Sequence, residues 1–188
     1  MKPLKTEVGF ETPWFRIVGK TMREGEAPYY SLQLPDYAAV VAITEANEVL
    51  IVRQYRPAVE HETYELPSGL IDPGETPAQA ASRELLEETG YEASELEVLG
   101  SMEPDVGRLG NRIWSCLARN VRKVPGRVPE EGIEVILWPL EELARATVDG
   151  RFDHALHVAV VMIAVMKGGV KLPYPCAPTE GSGTLFPV

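Results

Sequence analysis

The chain has 188 residues, enough for one domain with a sizeable core and too few for two domains of ordinary size. Its formal net charge of −10 argues against sequence-independent binding to nucleic acid, because clustered Lys and Arg supply the affinity of such binding. No apolar run reaches membrane-spanning length and the N-terminus lacks the apolar core of a signal peptide, so we expect a cytoplasmic protein without a membrane partner.

The first predicted elements are two strands near the N-terminus. Trp14 to Val18 and Tyr29 to Leu34 have the apolar and aromatic composition of strands, and the polar segment 19–28 joins them. We therefore predict that residues 1–37 form a β arm.

The predicted core follows from residue 38. Six strand-like runs are separated by polar or glycine-bearing turns. They are 38–44, 49–54, 63–66, 96–101, 112–118 and 133–138. A short helix is predicted at 140–146 and a buried helix at Ala155 to Met166. Strands interspersed with helices predict an α/β fold in which helices enclose a mixed sheet. The expected core domain spans 38–172, and residues 173–188, rich in Pro and Gly, are expected to form an irregular tail.

A third helix can be predicted from the residues at its two ends. Thr76 and Gln79 have the spacing of a capping box, and Pro77 stands at the first helical position, where its missing N–H costs nothing. Gly90 stands where a left-handed residue ends a helix. The sequence therefore predicts a helix from Pro77 to Thr89.

Three acidic residues on this predicted helix suggest a metal site. With 3.6 residues per turn, Glu84 and Glu88 stack one turn apart and Glu87 lies beside them. Such acids repel one another by roughly 0.2–0.5 kcal/mol per pair, and no Lys or Arg follows four residues later to offset the repulsion. Hard cations such as Mg²⁺ prefer oxygen ligands and bind through a few carboxylates together with substrate phosphates. The alternative is a solvated acidic face, but the capped helix and the glycine-bearing loop before it favour a divalent-cation site.

The segment from Gly69 to Tyr91 resembles the Nudix box. That pattern is Gly, five residues, Glu, seven residues, Arg-Glu-aliphatic, any residue, Glu-Glu, any residue, Gly and an aliphatic residue. Every fixed position matches, and only the last aliphatic position is loosened, to Tyr91. The resemblance implies the α/β/α sandwich of the Nudix fold and hydrolysis of a nucleoside diphosphate linked to another group. It also implies that Glu75 and Arg83 brace the loop against the helix.

The same resemblance assigns the metal ligands. Glu84 and Glu88 match the principal ligands, Glu87 matches a supporting ligand, and the backbone carbonyl of Ser68 matches a ligand from the loop. The implied cofactor is Mg²⁺, with Mn²⁺ as the other candidate.

The sequence before the box resembles one branch of the family, the ADP-ribose and nucleoside-diphosphate-sugar pyrophosphatases. The matching segments are Val52 to Pro57 and Tyr64 to Asp72. By this resemblance Arg56 contacts a phosphate or the nucleotide, and Glu65 helps arrange the site. The substrate-binding residues implied in these segments are Arg53, Arg56, Glu65 and Leu70. The alternative for the two arginines is a solvated strand end, and for Arg53 we favour neither reading.

Trp14 stands where related enzymes place an aromatic residue that stacks on adenine. In those enzymes the residue often comes from the N-terminal arm of the partner subunit, which implies a homodimer with crossing arms. The alternative is that Trp14 anchors the packing of its own chain.

A polar loop after the box, Pro104 to Arg112, has the character of a substrate-pocket loop. Pro104 approximately matches a proline of the ADP-ribose branch. Arg108 or Arg112 is then a candidate for contact with the distal phosphate or sugar. Each could instead be a surface charge, which we favour for Arg112 because it begins a strand.

Hydrolysis also needs a general base to deprotonate water. In the branch resembled here, that carboxylate tends to come from a mobile loop just before a late strand. Glu131 aligns best with this place, with Glu130 and Glu134 as rivals, and the alternative is that these are ordinary solvated acids. The histidines do not occur with other possible metal ligands in a metal-binding pattern of the sequence.

The function implied is Mg²⁺-dependent hydrolysis of ADP-ribose to AMP and ribose 5-phosphate. The nearest alternative keeps the chemistry and changes the substrate to another nucleoside diphosphate sugar, such as GDP-mannose, or to a dinucleotide. A different class is a non-catalytic nucleotide sensor, which would be expected to lose metal-binding acids that this chain retains.

Overall fold

The computed structural model describes residues 1–173, which contain eleven strands and three helices. The strands are β1 (Lys5–Glu11), β2 (Arg16–Thr21), β3 (Tyr29–Gln33), β4 (Tyr37–Thr44), β5 (Glu48–Arg56), β6 (His61–Glu65), β7 (Ser68–Leu70), β8 (Tyr91–Glu92), β9 (Glu95–Met102), β10 (Ile113–Lys123) and β11 (Glu134–Pro139). The helices are α1 (Pro77–Thr89), α2 (Leu140–Asp149) and α3 (Ala155–Met166). The predicted tail, except for its first residue Pro173, lies outside the described residues.

The N-terminal arm is a separate three-stranded antiparallel sheet in the order β1-β2-β3. Strands β2 and β3 confirm the predicted pair with bounds shifted by a few residues. Strand β1 was not predicted, because its sequence is largely polar and every residue in it is exposed. The domain divisions after residues 37 and 172 stay predictions.

The main sheet is mixed, as predicted. Its strand order is β11-β5-β4-β10-β8, with β6 on β5, β7 on β4 and β9 on β10. Strands β4 and β10 run parallel, whereas the other paired strands of this sheet run antiparallel. Each long predicted strand is present, and the three-residue strand β7 was too short to be predicted.

Two apolar layers cover the two faces of the main sheet, so the predicted α/β/α sandwich is confirmed. Alternate residues of β4 point to opposite faces because a strand has a period of two. Ala38, Val40 and Ala42 pack in the layer beneath α1. The intervening residues of β4 pack in the layer that contains α2 and α3. A strand buried on both faces reads as a continuous apolar run, which β4 does.

Helix α1 begins and ends where its sequence predicts. The side chain of Thr76 accepts a hydrogen bond from the backbone N–H of Gln79, and the Gln79 side chain bonds the backbone N–H of Thr76 in return. Gly90 ends the helix in the left-handed conformation, with φ 71°, and its N–H donates to the carbonyl of Leu86 at 2.9 Å. Ala80, Ala81 and Leu85 of α1 pack against the sheet, and Glu84 and Glu88 meet β7.

Helix α3 matches its predicted bounds, and α2 runs three residues further than predicted, to Asp149. Among residues 1–173, no helix combines the length and the apolar character needed to cross a bilayer.

Candidate active site

Glu88 is a buried carboxylate on the last turn of α1. One of its oxygens, Oε2, accepts a hydrogen bond from the backbone N–H of Ser68 at 2.9 Å. Burial raises the pKa of Glu88 to about 8, and the neighbouring charge of Glu84 adds to the rise, while the Ser68 hydrogen bond opposes it. The nearby positive charges and hydrogen bonds therefore do not offset the cost of burying the ionised Glu88 carboxylate.

Glu84 lies one turn before Glu88 and faces β7 across a close contact. Burial raises the pKa of Glu84, the hydrogen bond from Arg83 lowers it, and the charges of Glu87 and Glu130 raise it further. Its carboxylate occupies space that only glycine leaves open, since a Cβ built on Gly69 would lie 2.1 Å from the Glu84 carboxyl carbon. Gly69, the first residue of the box, is thus required because a side chain there would collide with Glu84.

Glu87 does not join the other two acids. Its side chain is 56% exposed and pairs with Arg83 Nη1 at 3.1 Å. The same nitrogen donates to Glu84 at 2.6 Å, so a cation already lies between the two acids. The prediction of an uncompensated three-acid cluster was wrong on this point, because Arg83 precedes the acids rather than following them. The buried part of the cluster consists of Glu84 and Glu88.

Arg83 and Glu75 form the predicted brace between loop and helix. Arg83 Nε and Nη2 donate to the two oxygens of Glu75, each at 2.9 Å, and Nη2 also donates to the carbonyl of Leu70 at 2.9 Å. Hydrogen bonds from Arg83 and from the backbone of Asp72 lower the pKa of Glu75 to about 2. The pair confirms its predicted structural role, and it also ties Leu70 to the helix.

Oxygen donors in this arrangement suit a hard divalent cation. Glu84 and Glu88 are carboxylates whose pKa values are both raised, so a nearby cation would stabilise their ionised forms. They flank Ser68 and Gly69 of β7, the predicted carbonyl ligand and its neighbour. The donor set therefore fits Mg²⁺ or Mn²⁺, which take oxygen ligands.

The substitution Gly69→Ala tests this contact. The new methyl group would push the Glu84 carboxylate away, because Glu84 is held from its other side by Arg83. We expect a loss of about 10²-fold in turnover, the scale of a misplacement near 1 Å in an active site. Thermal stability should change little, since the displaced atoms end a flexible side chain.

Steady-state kinetics and thermal melts of the purified variant measure both effects. Gly9→Ala is the matched control, because the nearest atoms to its added Cβ lie at 3.8 and 4.0 Å. Full activity in Gly69→Ala would show that the position of Glu84 is unimportant.

Arg56 and Glu65 form a bidentate salt bridge at the ends of β5 and β6. Arg56 Nε and Nη2 donate to the two oxygens of Glu65 at 2.7 and 2.8 Å, and the Glu65 side chain is only 2% exposed. Burial alone would raise the pKa of Glu65, but hydrogen bonds from Arg56 and Thr63 outweigh it and lower the pKa to about 2. The hydrogen bond to Glu65 raises the pKa of Arg56, and the charge of Glu88 adds to the rise. The structure therefore brings Arg56 and Glu65 beside the acids of α1, and 43% of the Arg56 side chain is exposed.

Arg53 lies three residues before Arg56 on β5 and is paired with other acids. Its Nη2 lies 2.7 Å from Glu134 and its Nε lies 3.5 Å from Glu62. Since Glu134 is held by this pair and begins β11, it is a weaker candidate for the base than the two loop acids. The assignment of Arg53 to the substrate stays a prediction.

Glu130 and Glu131 lie in the exposed loop that precedes β11. Of the two, Glu130 is the one whose charge contributes to the raised pKa of Glu84. The spacing of Glu131 before β11 favours Glu131 as the base, whereas the effect of Glu130 on the pKa of Glu84 favours Glu130. The choice of Glu131 as base stays a prediction, with Glu130 as its closest rival.

Trp14 lies at the tip of the β1–β2 hairpin and is 70% exposed. A turn holds it there, because Thr12 Oγ1 accepts hydrogen bonds from the backbone N–H groups of Trp14 and Phe15. The alternative prediction, that Trp14 anchors the packing of its own chain, was therefore wrong.

The loop from Pro104 to Arg112 contacts the N-terminal sheet. The Arg108 guanidinium lies over the ring of Tyr29, 4.6 Å from the ring centre, and the Tyr29 hydroxyl donates to the carbonyl of Gly107. Arg112 is a surface charge, as favoured, with its backbone N–H on Asp36 and its side chain half-exposed. Pro104 is half-buried in the loop, and its role and that of Arg108 stay predictions.

Two histidines lie beside Glu65, although the sequence predicted no other possible metal ligands near them. Within the described residues, three potential ligand atoms approach within 4.8 Å of one another only at Glu65, His154 and His157. The imidazole rings stack at 3.8 Å, and burial lowers the pKa of His157 to about 3, with further lowering from His154. No sequence pattern signals this contact, because His157 stands alone in an apolar helix.

Comparisons with known proteins agree with this architecture. A model of the NUDIX domain matches residues 34–158. The chain is 31% identical over 140 residues to the methanol dehydrogenase activator of Bacillus methanolicus, which covers 73% of this chain and 76% of that protein. It is 32% identical over 142 residues to the ADP-ribose pyrophosphatase of Mycobacterium tuberculosis, with 73% and 69% covered. The crystal structure of an ADP compounds hydrolase matches with a TM-score of 0.73 and 23% identity, over 90% of this chain and 98% of that one.

The chain therefore belongs to the Nudix family, a class of hydrolases defined by the loop and helix just described. The solved structure, at this level of identity, shows the fold alone.

Proposed function

We propose that this protein hydrolyses the pyrophosphate bond of ADP-ribose, with Mg²⁺ as cofactor, to give AMP and ribose 5-phosphate. The observation that carries the proposal is the pair of carboxylates with raised pKa, Glu84 and Glu88, facing a glycine of the box loop. The relative from Mycobacterium tuberculosis is an ADP-ribose pyrophosphatase, which supports this substrate over others.

The residues that would hold the cation are Glu84, Glu88, the backbone carbonyl of Ser68 and, after release from Arg83, Glu87. When bound, Mg²⁺ would neutralise phosphate charge and lower the pKa of a bound water. Without a cation, two neighbouring carboxylates would repel the diphosphate of the substrate.

The other side chains have separate tasks. Arg56 keeps N–H donors that Glu65 does not use, and these can hold a phosphate oxygen of the substrate. Glu65 fixes the plane of that guanidinium. Glu131, or its rival Glu130, would take a proton from the attacking water as general base. Leu70, Pro104 and Arg108 are proposed to line the remainder of the substrate site.

A substrate panel tests the proposal directly. The purified protein is incubated with Mg²⁺ and, separately, with ADP-ribose, NADH, GDP-mannose, UDP-glucose or diadenosine polyphosphates, and the products are separated. We expect AMP and ribose 5-phosphate in equal amounts, with the highest kcat/KM for ADP-ribose. A higher value for another compound would reassign the substrate, and no cleavage with Mg²⁺ or Mn²⁺ would remove the proposal.

The proposed enzyme is a homodimer in which Trp14 of one arm reaches the adenine in the partner's site. Exposure of Trp14 and of all of β1 supports this, since both offer contacts that a single chain leaves unused. Stacking of a base on an aromatic ring contributes about 1–3 kcal/mol, so Trp14→Ala should raise KM about tenfold and leave kcat nearly unchanged. Val148→Ala, at another exposed position, is the control.

Mixed dimers test whether the contact crosses between subunits. When Trp14→Ala and Glu88→Gln chains are refolded together, a crossing arm gives each mixed dimer one intact site. Activity at low substrate concentration should then exceed that of either parent. If Trp14 serves its own subunit, mixing will restore nothing, and a monomer by sedimentation would exclude the crossing arm altogether.

A further inference from the structure

The short segment from Glu65 to Ser68 connects the Arg56 side chain, the Glu88 carboxylate and the proposed carbonyl ligand of the candidate site. Glu65 holds the guanidinium of Arg56, and Ser68 donates its N–H to Glu88 and is the proposed carbonyl ligand. Between them, Leu66 is completely buried, and its backbone has left the β5–β6 ladder, which ends at the pair of Val52 with Glu65. The buried N–H of Leu66 therefore needs a partner outside the sheet.

His157 of α3 supplies that partner. The Leu66 N–H donates to His157 Nδ1 at 3.0 Å, across 91 positions of the sequence. The ring of His154 stacks on the His157 ring at 3.8 Å and accepts the backbone N–H of His157 at 3.3 Å. One helix thus holds the middle of the segment that carries Glu65 and Ser68.

The hydrogen bonds of this cluster argue against a second metal site. A ring nitrogen that accepts a backbone N–H carries no proton, so the other ring nitrogen of the same histidine carries one. Binding a metal through that second nitrogen would require loss of its proton. Both oxygens of Glu65 are already engaged, by Arg56 and Thr63. The three side chains therefore form a hydrogen-bonded support and not a ligand set.

We propose that His157 is a positioning residue, which holds Leu66 so that Glu65 and the Ser68 carbonyl keep the geometry needed by substrate and cation. The inference rests on the proposed function for its kinetic consequences, but its structural consequence can be measured without turnover. The hydrogen bond from Leu66 is the contact through which we propose that His157 acts on Glu65 and Ser68.

Two substitutions separate this role from simple packing. His157→Phe keeps a ring of similar size in the stack and removes the acceptor. His157→Asn places its side-chain oxygen near the position of Nδ1 and so can accept the Leu66 N–H again. Val160→Ala, a fully buried change one turn further along α3, is the control for loss of core packing without loss of this bond.

Amide hydrogen exchange of Leu66 and Ser68, followed by NMR, is the readout that does not depend on activity. We expect exchange at Leu66 to be at least tenfold faster in His157→Phe and close to the wild-type rate in His157→Asn. In Val160→Ala, exchange at Leu66 should become faster only as far as the loss of global stability accounts for. The apparent Mg²⁺ requirement should rise and kcat should fall about tenfold in His157→Phe, with little change in KM, and His157→Asn should recover most of both.

The outcomes are distinguishable. If wild type cleaves no compound of the panel, the proposed function fails, and the exchange data alone decide the role of His157. If His157→Phe lowers the melting temperature as Val160→Ala does but leaves exchange at Leu66 and the Mg²⁺ requirement unchanged, His157 only fills space and the inference is overturned. If Asn fails to restore slow exchange while the protein remains folded, the hydrogen bond is not the cause and the inference is likewise overturned.

Discussion

Glu88→Gln is expected to lower kcat by about 10²-fold or more, because a metal ligand contributes several kcal/mol to stabilisation of the transition state. The substitution is well suited to the site. Glutamine keeps an oxygen that can accept the N–H of Ser68, and it removes the charge and replaces the second oxygen with an NH2 group. The loss should therefore appear in turnover and in Mg²⁺ affinity, and the fold should remain intact.

The same variant should be more stable than wild type when no metal is present. The pKa of Glu88 is about 8 in the folded protein and 4.5 in the reference state, so the folded state binds more protons between these values. The contribution of Glu88 to wild-type stability must then fall as pH rises from 4.5 through 8. Glutamine does not titrate, so this component of the pH dependence should vanish, and the variant should melt higher at pH 8.

Melting curves from pH 5 to 9 in a chelator measure this difference. Glu97→Gln makes the same change at an exposed position of β9 and should leave the pH dependence unaltered. Adding Mg²⁺ should raise the melting temperature of wild type and reverse the order of the two proteins, since a ligand stabilises the state that binds it. Normal turnover together with an unchanged pH profile would remove Glu88 from the metal site.

Helix α1 could be predicted nearly to the residue because its ends depend on neighbours in the sequence. Thr76 and Gln79 bond each other across three positions, and the conformation of Gly90 is local. Strand β4 was equally clear, since burial on both faces leaves an uninterrupted apolar run. In both cases, the information that determines the structure lies within a few residues.

Contacts between distant segments could not be predicted in this way. The division of Arg83 among three acids depends on where β7 and the loop after it pass over α1. The exposure of Glu87 follows from that division. His157 meets Leu66 only because α3 packs under the strand ends, and nothing near His157 in the sequence signals a polar partner. The box therefore predicts which acids are present but not which of them are already neutralised.

Arg56→Met is expected to destabilise the protein as well as to impair catalysis. It leaves the carboxylate of Glu65 buried, with Thr63 as its remaining hydrogen-bond donor. Removing one partner of a fully buried pair costs roughly 3–5 kcal/mol, and because Arg56 is partly exposed we expect about 2–3 kcal/mol. Loss of the phosphate contact should lower kcat/KM by an additional ten- to hundredfold, about 1.4–3 kcal/mol.

The destabilisation should depend on pH with a defined sign. Glu65 has a pKa of about 2 in the folded protein and 4.5 in the reference state, so its contribution is complete above 4.5 and is lost as pH falls through 2. Without Arg56, burial would raise the pKa of Glu65 in the variant, so the gap in unfolding free energy between wild type and Arg56→Met should be largest at neutral pH and narrow as pH falls toward 2. Urea denaturation at pH 7 and pH 4 measures it, with Arg122→Met, which breaks the exposed pair with Glu92, as a control expected to change stability by less than about 1 kcal/mol.

A double variant identifies the buried charge as the cause. In Arg56→Met with Glu65→Gln, no unpaired carboxylate remains, so stability should recover by about 1–2 kcal/mol relative to Arg56→Met alone. Activity should not recover, because the guanidinium that would hold the phosphate is still missing. The stability and activity of Arg56→Lys should lie between those of wild type and Arg56→Met. Lysine keeps the charge but cannot make the two parallel hydrogen bonds to Glu65. Additive effects of the two single changes would mean that Arg56 stabilises the protein by some contact other than Glu65, and recovery of activity in the double variant would remove Arg56 from the substrate site.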